Sequence, residues 1–512
     1  MKKTENNILL IHPYSYPDDF TSGVSAGIAY LRGYLKYKGI DSSVINFNDI
    51  LQSQNCEKLF LADLRKYFIE NINKDFSFSK KEDLSFHNIS NNILHYHPDK
   101  IWQTVDRLEK LLRSFFKIYI SEFFNVEYLG FSFVAKGQLL FSLSLAKYVK
   151  DNFNEDIKIV FGGSFITTYY LEMMVLLKER SMIDYLIIGE GETPFYLLIK
   201  GGSELVDIPN LIYLEGDEYK YAKDLKHTED ITKLPPPIFE LGDTPYIQAT
   251  RKCYWGKCAF CIQDSNKFIS CPTIRKPIDV YNDVKIIHQN LNDYKVVYNF
   301  TDNSLPISFL KSFSEIIIGE KFIPKNYRTY VRLEEQIDYN TLKLAKKAGF
   351  GNKSYSRLVF GVETQVERLL ELLNRGINRK KIIEIIEMCA KLKININLHF
   401  TIGFPTQTKK ELMQDLNFIL LLISKHKNIS IAIFPLMLFV NSDIYKNPQK
   451  FNIKVNHDEK KFFSIVVPFK QIDKHAISQE EAFLLYKNFY NKNLAIFKNH
   501  PFANPSPQYY RC

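Results

Sequence analysis

Short, continuously apolar runs alternate with helical stretches along most of this chain, and that alternation leaves few folds open. In the first half the runs are NILLIH (residues 7–12), residues 41–47, EYLGFSFV (127–134), IKIVFGGSF (157–165) and IDYLIIGEGE (183–192). Helical spacing lies between them: Ile28, Leu31 and Leu35 mark a helix over 26–38 that stops at Gly39, and further helices are expected over 138–152 and 168–179. Strands that are apolar throughout are buried on both faces, so this half predicts an α/β fold with a doubly wound parallel sheet covered by helices. The second half repeats the pattern with PYIQAT (245–250), YKVVYNFTDNS (294–304), NYRTYVRLE (326–334), RLVFGVET (357–364), ININLHFTIGFP (394–405) and ISIAIFPLML (429–438), with helices over 339–347 and 380–392. Six βα units of this kind predict a partial (β/α)6 barrel with its site at the carboxyl ends of the strands.

Those runs divide the chain. Residues 1–230 form the first expected domain, with an insertion over about 50–126 between its second and third strands. Residues 208–222 read as a hairpin turning at 215–217. The segment 231–242, with Pro235, Pro236 and Pro237, is the expected linker; 243–440 is the barrel and 441–512 a small, mainly helical C-terminal capping region. Within the insertion, Ile101, Val105, Leu108, Leu112, Phe115 and Tyr119 recur at helical steps. His95 and His97, two apart, would share one face of a strand, but no cysteine or carboxylate cluster accompanies them, and a helical insertion capping the sheet end is the expectation.

Composition sets the outer bounds. Lys and Arg exceed Asp and Glu by 67 to 57, giving +10, yet no run holds five like charges. The excess reads first as a solvated surface, so a nucleic-acid partner is not indicated and a basic groove is the secondary reading. No window approaches the roughly 20 apolar residues of a membrane span. Seven cysteines with one cluster and no secretory pattern point to a reducing cytoplasm.

That cluster is RKCYWGKCAFC, residues 251–261, at the start of the barrel. Cys253, Cys258 and Cys261 lie within nine residues, so one loop can present three thiolates to a metal centre. Three ligands leave a coordination position open, which suits chemistry better than pure structure. A zinc loop would need a fourth ligand, and Cys271 could supply one.

The cysteine loop, with a later strand ending TDN, then GVET and IGFPTQTKKE, resembles the radical S-adenosylmethionine (SAM) enzymes. The resemblance implies that Cys253, Cys258 and Cys261 hold a [4Fe-4S] cluster whose remaining iron takes SAM, which is cleaved to a 5′-deoxyadenosyl radical. It further implies SAM contacts from Phe260, beside the last ligand, from Asp302 and Asn303 for the amino group, from Arg332 for the carboxylate and from Glu363 for the ribose or carboxylate. Four residues separate the first two cysteines, where three is the family's commonest spacing and some branches allow four.

The first half resembles the cobalamin-binding Rossmann-like domain that precedes the barrel in one class of radical SAM methyltransferases, carried by SAGIAYLRGYLKYKGIDSSVIN, YLGFSFV, VFGGSF and DYLIIGEGETPF. That resemblance implies cobalamin contacts from Ser132, Gly162, Gly163, Ser164, Gly189, Glu190, Gly191 and Glu192. No Asp-x-His-x-x-Gly motif occurs, so a histidine-ligated lower face of the cofactor is not expected. Together the resemblances imply a cobalamin-dependent enzyme that methylates an unactivated carbon of a peptide or small-molecule natural product, served by an electron donor such as flavodoxin or ferredoxin. Radical oxidation, rearrangement or epimerisation without methyl transfer is the alternative reaction class, and a non-catalytic iron–sulfur or cobalamin sensor the alternative outside catalysis. Methylthio transfer would call for three further cysteines in the first domain, which has only Cys56.

Overall fold

A computed structural model describes residues 8–14, 25–53, 57–72, 85–120, 125–153, 156–262, 273–293, 295–320, 325–353 and 355–500. Cys56, Cys271 and Cys512, each weighed in the sequence, lie outside these residues. Two compact units emerge: one holds the described residues up to Thr244 together with Lys461–Phe463, and the other holds those from Pro245 onward apart from that triplet.

The first unit is built on a seven-stranded sheet of β1 (Ile8–His12), β2 (Ser43–Asn46), β3 (Tyr128–Ser132), β4 (Lys158–Gly162), β5 (Tyr185–Ile187), β6 (Leu211–Glu215) and β7 (Glu218–Tyr221), in the order β2-β1-β3-β4-β5-β6-β7. The first five strands are parallel, and the β6–β7 hairpin adds an antiparallel edge. Every residue of β1 is buried, as a strand covered on both faces must be. The insertion supplies helices Glu57–Asn71, Phe86–Tyr96 and Ile101–Ile120, and the last buries Ile101, Val105, Leu108 and Leu112. His95 sits in the last turn of Phe86–Tyr96 and His97 is its C-cap, so the pair lies on a helix; Ser85 caps its start by accepting from the Asn88 N–H.

The proline-rich segment 231–242 belongs to this unit. Ile238 N–H donates to Ala29 O at 3.0 Å and Arg32 pairs with Glu240 at 2.8 Å, so it packs along helix Ala26–Tyr37. Phe463, far along the chain, also joins this unit by packing on Phe165 and Tyr169 with ring centroids 5.5 and 5.7 Å apart.

The second unit carries β8 (Tyr246–Ile247), β9 (Thr250–Arg251), β10 (Thr273–Ile274), β11 (Tyr298–Phe300), β12 (Tyr327–Val331), β13 (Leu358–Glu363), β14 (Ile396–Ile402) and β15 (Ile429–Pro435). Six of these form one parallel sheet in the order β15-β14-β13-β12-β11-β8, while β9 and β10 pair antiparallel beside it. Its strands have two different faces. Phe300 meets Phe313 of helix Ile307–Gly319, and Phe400 meets Phe418 of helix Lys409–Lys425, so one face is roofed by helices. The alternate residues, such as Asn397, His399 and Thr401 on β14, occupy the other face and are only partly buried. Helix starts are capped locally: Asp338, Asn378 and Thr408 each accept from a backbone N–H three residues on. The C-terminal part holds a small antiparallel pair, β16 (Ile453–Val455) and β17 (Phe469–Gln471), before helices Gln479–Lys492 and Leu494–Asn499, so it is not purely helical. Among the described residues no helix is long and apolar enough to cross a membrane.

Candidate functional site

The cysteine loop leaves β9 and is fastened along its length. Tyr254 Oη donates to Glu334 Oε2 at 2.8 Å, and Trp255 Nε1 donates to Asn374 O at 3.1 Å. The Ala259 N–H donates to Leu373 O at 3.0 Å, while its carbonyl accepts from Ile444 N at 3.0 Å. Ala259 is buried among Leu369, Leu373, Phe404, Leu436 and Leu438, with Phe260 against the same cluster, so a small residue between Cys258 and Phe260 is what the packing admits. Cys253, Cys258 and Cys261 are outside any disulfide, each half-buried. Among the described residues no three His, Cys, Asp or Glu side chains are grouped to hold one metal ion.

Arg375 is the residue that links this loop to the barrel. Its Nη1 lies 3.0 Å from Cys258 Sγ, its Nη2 donates to Gly361 O, and Glu363 Oε1 is 3.9 Å away. Its Nε is buried without a hydrogen-bond partner. Burial is the largest single influence and opposes the charge, yet Cys258, Glu363 and Cys253 together outweigh it and hold the guanidinium above its ordinary pKa. Phe260 lies with its ring centroid 5.9 Å from the Arg375 guanidinium carbon. Glu363 ends β13 after a bulge at Gly361, with φ of 66°, a left-handed conformation that costs a non-glycine residue about 1 kcal/mol. Its Oε2 accepts from Thr401 Oγ1 at 2.7 Å.

Arg332, expected at the SAM carboxylate, is taken up by the loop itself. Its guanidinium carbon stacks 3.7 Å from the Trp255 ring centroid, Nη2 donates to Arg375 O, and Glu334 Oε2 lies 3.8 Å from Nη1. Burial first, then the charge of Arg375, lowers its pKa from the ordinary value. Gly376 makes this stack possible: it has φ of +59°, and an added Cβ would stand 2.4 Å from Trp255 Cη2.

Asp302, expected at the SAM amino group, has backbone partners of its own. It is 2% exposed and accepts from the backbone N–H groups of Ala249, at 3.2 Å, and Thr250, so it anchors the chain entering the loop. Burial pushes its carboxyl up to about 6. Neighbouring Asn303 is exposed. Cys258, Phe260, Glu363 and Arg332 thus gather around Arg375, while Asp302 lies beneath the start of the loop. Arg375, Trp255 and Thr401 escaped sequence reasoning. Asn374 (φ 54°) and Gly376 mark a turn that the sequence could suggest, but a contact spanning 117 residues from Arg375 to Cys258 leaves no periodic trace.

In the first unit, Ser132, Gly162 and Ile187 end three adjacent parallel strands at one sheet edge, and Gly163, Ser164 and 189–192 follow in the turns and helix starts. Gly163 is required by its own chain, since a Cβ there would lie 2.3 Å from Phe133 O at φ of +94°. Gly162 and Gly191 are different: added Cβ atoms would meet nothing nearer than 3.7 and 3.9 Å, which leaves room for a bulky group against the backbone. Gly189 N–H donates to Thr167 Oγ1 at 2.8 Å, and Glu190 accepts from the Glu229 N–H. Ser164 is exposed and Glu192 buried. His12, at the same edge, is 8% exposed and accepts the Ser25 N–H on Nδ1 at 2.9 Å. Burial lowers its pKa to about 4, so the ring is neutral, carries its hydrogen on Nε2 and offers no free lone pair to a metal.

Residues 247–419 match the radical SAM superfamily. An uncharacterised methyltransferase of Pyrococcus horikoshii is 22% identical over 292 residues, 54% of this chain and 60% of that protein's length. Among solved structures, the radical SAM methyltransferase TsrM from Kitasatospora setae, with cobalamin and a [4Fe-4S] cluster bound, is similar with a TM-score of 0.62 at 12% identity, covering 99% of this chain and 92% of that one. The cobalamin-dependent radical SAM enzyme OxsB, with aqua-cobalamin and SAM bound, is similar with a TM-score of 0.64 at 12% identity, covering 98% and 70%. At such identities the likeness to TsrM and OxsB is one of fold. Residues 247–419 are therefore a radical SAM domain, carried in a chain with the fold of the cobalamin-dependent radical SAM enzymes.

Proposed function

We propose that this chain is a cobalamin-dependent radical SAM enzyme that methylates an unactivated carbon of a peptide or small-molecule substrate. The observation that carries the reading is the Arg375 guanidinium 3.0 Å from Cys258 Sγ, in a trio of half-buried thiols at the carboxyl end of a parallel barrel sheet. Three soft sulfur donors suit an iron–sulfur cluster, whose cysteines bind separate irons. Cys253, Cys258 and Cys261 would hold a [4Fe-4S] cluster; the turns at Ser132, 162–164 and 189–192 would face cobalamin, with no protein ligand from His12. When bound, the cluster supplies the electron that cleaves SAM, and cobalamin carries the methyl group.

The chain's own residues then take defined parts. Arg375 is the cation best placed for the methionyl carboxylate, because its Nη1 stands 3.0 Å from Cys258 Sγ whereas the Arg332 guanidinium is stacked on Trp255; the Nε of each is buried without a hydrogen-bond partner. Glu363, oriented by Thr401, accepts a hydrogen bond from the SAM ribose or amine. Phe260 packs beside the adenine, and Asn303 faces the amino group. Asp302 positions the loop through Ala249 and Thr250. A reduced flavodoxin or ferredoxin is the fitting electron donor in a cytoplasmic setting.

Anaerobically purified protein, reconstituted with iron, sulfide and hydroxocobalamin and reduced with dithionite, tests this. Its ultraviolet–visible spectrum should show cluster and cobalamin bands. With substrate, methionine, 5′-deoxyadenosine and S-adenosylhomocysteine should form together. The first two products without the third would overturn methyl transfer and leave radical chemistry; no SAM cleavage at all would overturn both.

A further inference from the structure

The face of the barrel sheet opposite its helices carries a feature that the cluster loop does not account for. On β12, Tyr327, Thr329 and Val331 point into the helical layer and are 0%, 0% and 2% exposed, whereas the intervening Tyr330 is 39% exposed. On β15 Phe434 is 38% exposed. Between them in the sheet lies β14, whose His399 ring sits edge-on to both: 5.8 Å from Tyr330 at 77° and 5.3 Å from Phe434 at 67°. Three rings from three strands thus form one aromatic surface on the face opposite the helices.

Arg328 shares that face, two residues before Tyr330 on β12 and so about 7 Å along the strand. Its side chain makes no hydrogen bond or ion pair among the described residues. Its charge is felt at His399, whose pKa is lowered to about 4 by burial first and by Arg328 second, so the imidazole stays neutral and keeps one donor and one acceptor. It also acts, after burial, to lower the pKa of Arg357, whose Nη1 donates to Ser430 Oγ at 3.1 Å. Two guanidiniums near one another, Arg328 with no anion among the described residues and Arg357 on the neutral Ser430 hydroxyl, make this end of the face electropositive.

We infer that this face binds the substrate of the radical reaction, and that the substrate joins a flat aromatic group, seated against Tyr330, His399 and Phe434, to a carboxylate held by Arg328. The inference rests on the radical SAM reading for what happens to the bound molecule, but not for its binding. A guanidinium takes a carboxylate in a two-point fork, which the corresponding amide cannot reproduce. Stacking alone accepts acid and amide alike.

The test uses the reconstituted enzyme with SAM, titrated calorimetrically with L-tryptophan, L-tyrosine, indole-3-acetate and their primary amides. At least one acid should bind about tenfold or more tightly than its amide, the size of a lost charge-assisted hydrogen bond. Arg328→Gln should remove that preference, Arg328→Lys should keep part of it, and Tyr330→Ala should weaken acid and amide together. Equal binding of acids and amides, no binding of any of these probes below about 10 mM (about −3 kcal/mol, too weak for specific recognition), or an acid preference that survives in Arg328→Gln would each overturn the inference. Dithionite-driven SAM cleavage by the unaltered enzyme is scored separately: its absence removes the radical reading while an acid preference stands on its own.

Discussion

Replacing Gly376 with alanine probes the fastening of the cysteine loop most directly. The new Cβ would stand 2.4 and 2.5 Å from two atoms of the Trp255 ring and 3.1 Å from Arg332 Nη2, at φ of +59°. Alanine in the left-handed region costs about 1–2 kcal/mol. Relief of the overlap needs the indole to retreat by about 1 Å to reach ordinary contact near 3.5 Å. That movement disturbs the stack on Arg332, 3.7 Å from the ring centroid, and strains the Trp255–Asn374 hydrogen bond. Overpacking of this kind costs about 1–3 kcal/mol. The sum is roughly 2–5 kcal/mol, or about 4–20 °C in the melting temperature of a unit this size. Because Trp255 lies between Cys253 and Cys258, the displaced loop should also take up less iron on reconstitution. Gly216→Ala is the matched control: its φ is +63°, but nothing lies within 4 Å of its added Cβ, so only the backbone term applies. Melting curves before reconstitution and iron and sulfide content after it are the measurements. If Gly376→Ala matches Gly216→Ala in both, the Trp255–Arg332 stack does not hold the loop.

The two arginines should separate by readout. Arg375→Gln should weaken SAM binding by about tenfold or more, the size of a lost charge-assisted contact, whereas Arg332→Gln should show mainly as a lower melting temperature and reduced iron uptake; a swapped pattern in equilibrium dialysis and iron assays would reverse their assignments. Asp415, 2% exposed, accepts from Thr364 Oγ1 at 2.7 Å and Gln365 N at 2.9 Å, and burial raises its carboxyl to about 7. A raised folded-state value means that the folded chain holds the proton more tightly than the unfolded one, so the associated stability is present below about pH 4 and is lost as pH rises to about 7, by up to roughly 4 kcal/mol. Asp415→Asn keeps the shape and removes this titration, so its stability relative to the parent in urea should climb between pH 4 and 7; a flat difference would contradict the shift.

The strand and helix alternation was readable because buried parallel strands must be apolar throughout, as β1 shows with five buried residues in succession. The cysteine loop was readable because its spacing is local. What sequence could not supply is which polar side chain is already spent. Asp302 and Arg332 both stand at strand ends where ligand contacts are expected, yet one is consumed by backbone N–H groups and the other by an indole ring. Both partners lie in or next to the cysteine loop, so the residues look alike in sequence to ones that await a ligand. His95 and His97 are two residues apart, a spacing that would fit a strand face, yet capping by Ser85 settles the segment as a helix, because local hydrogen bonds outweigh a pattern only two residues long.

The fifth-position spacing of the cysteines follows from the same contacts. Four residues between Cys253 and Cys258 must turn back on themselves if both sulfurs are to serve one cluster. Within the span Gly256, at φ of 62°, makes the turn, and Lys252, just before Cys253, is also left-handed at 66°. The added length is not loose: Tyr254 reaches Glu334 just beyond β12, and Trp255 fills the space between Arg332 and Gly376. Each therefore draws the loop toward the end of β12 and the 374–376 turn, which is the turn that sets Arg375 on Cys258. The longer span thus couples the placement of the cluster loop to the placement of its arginine, and a shortened loop lacking either Tyr254 or Trp255 would loosen both at once.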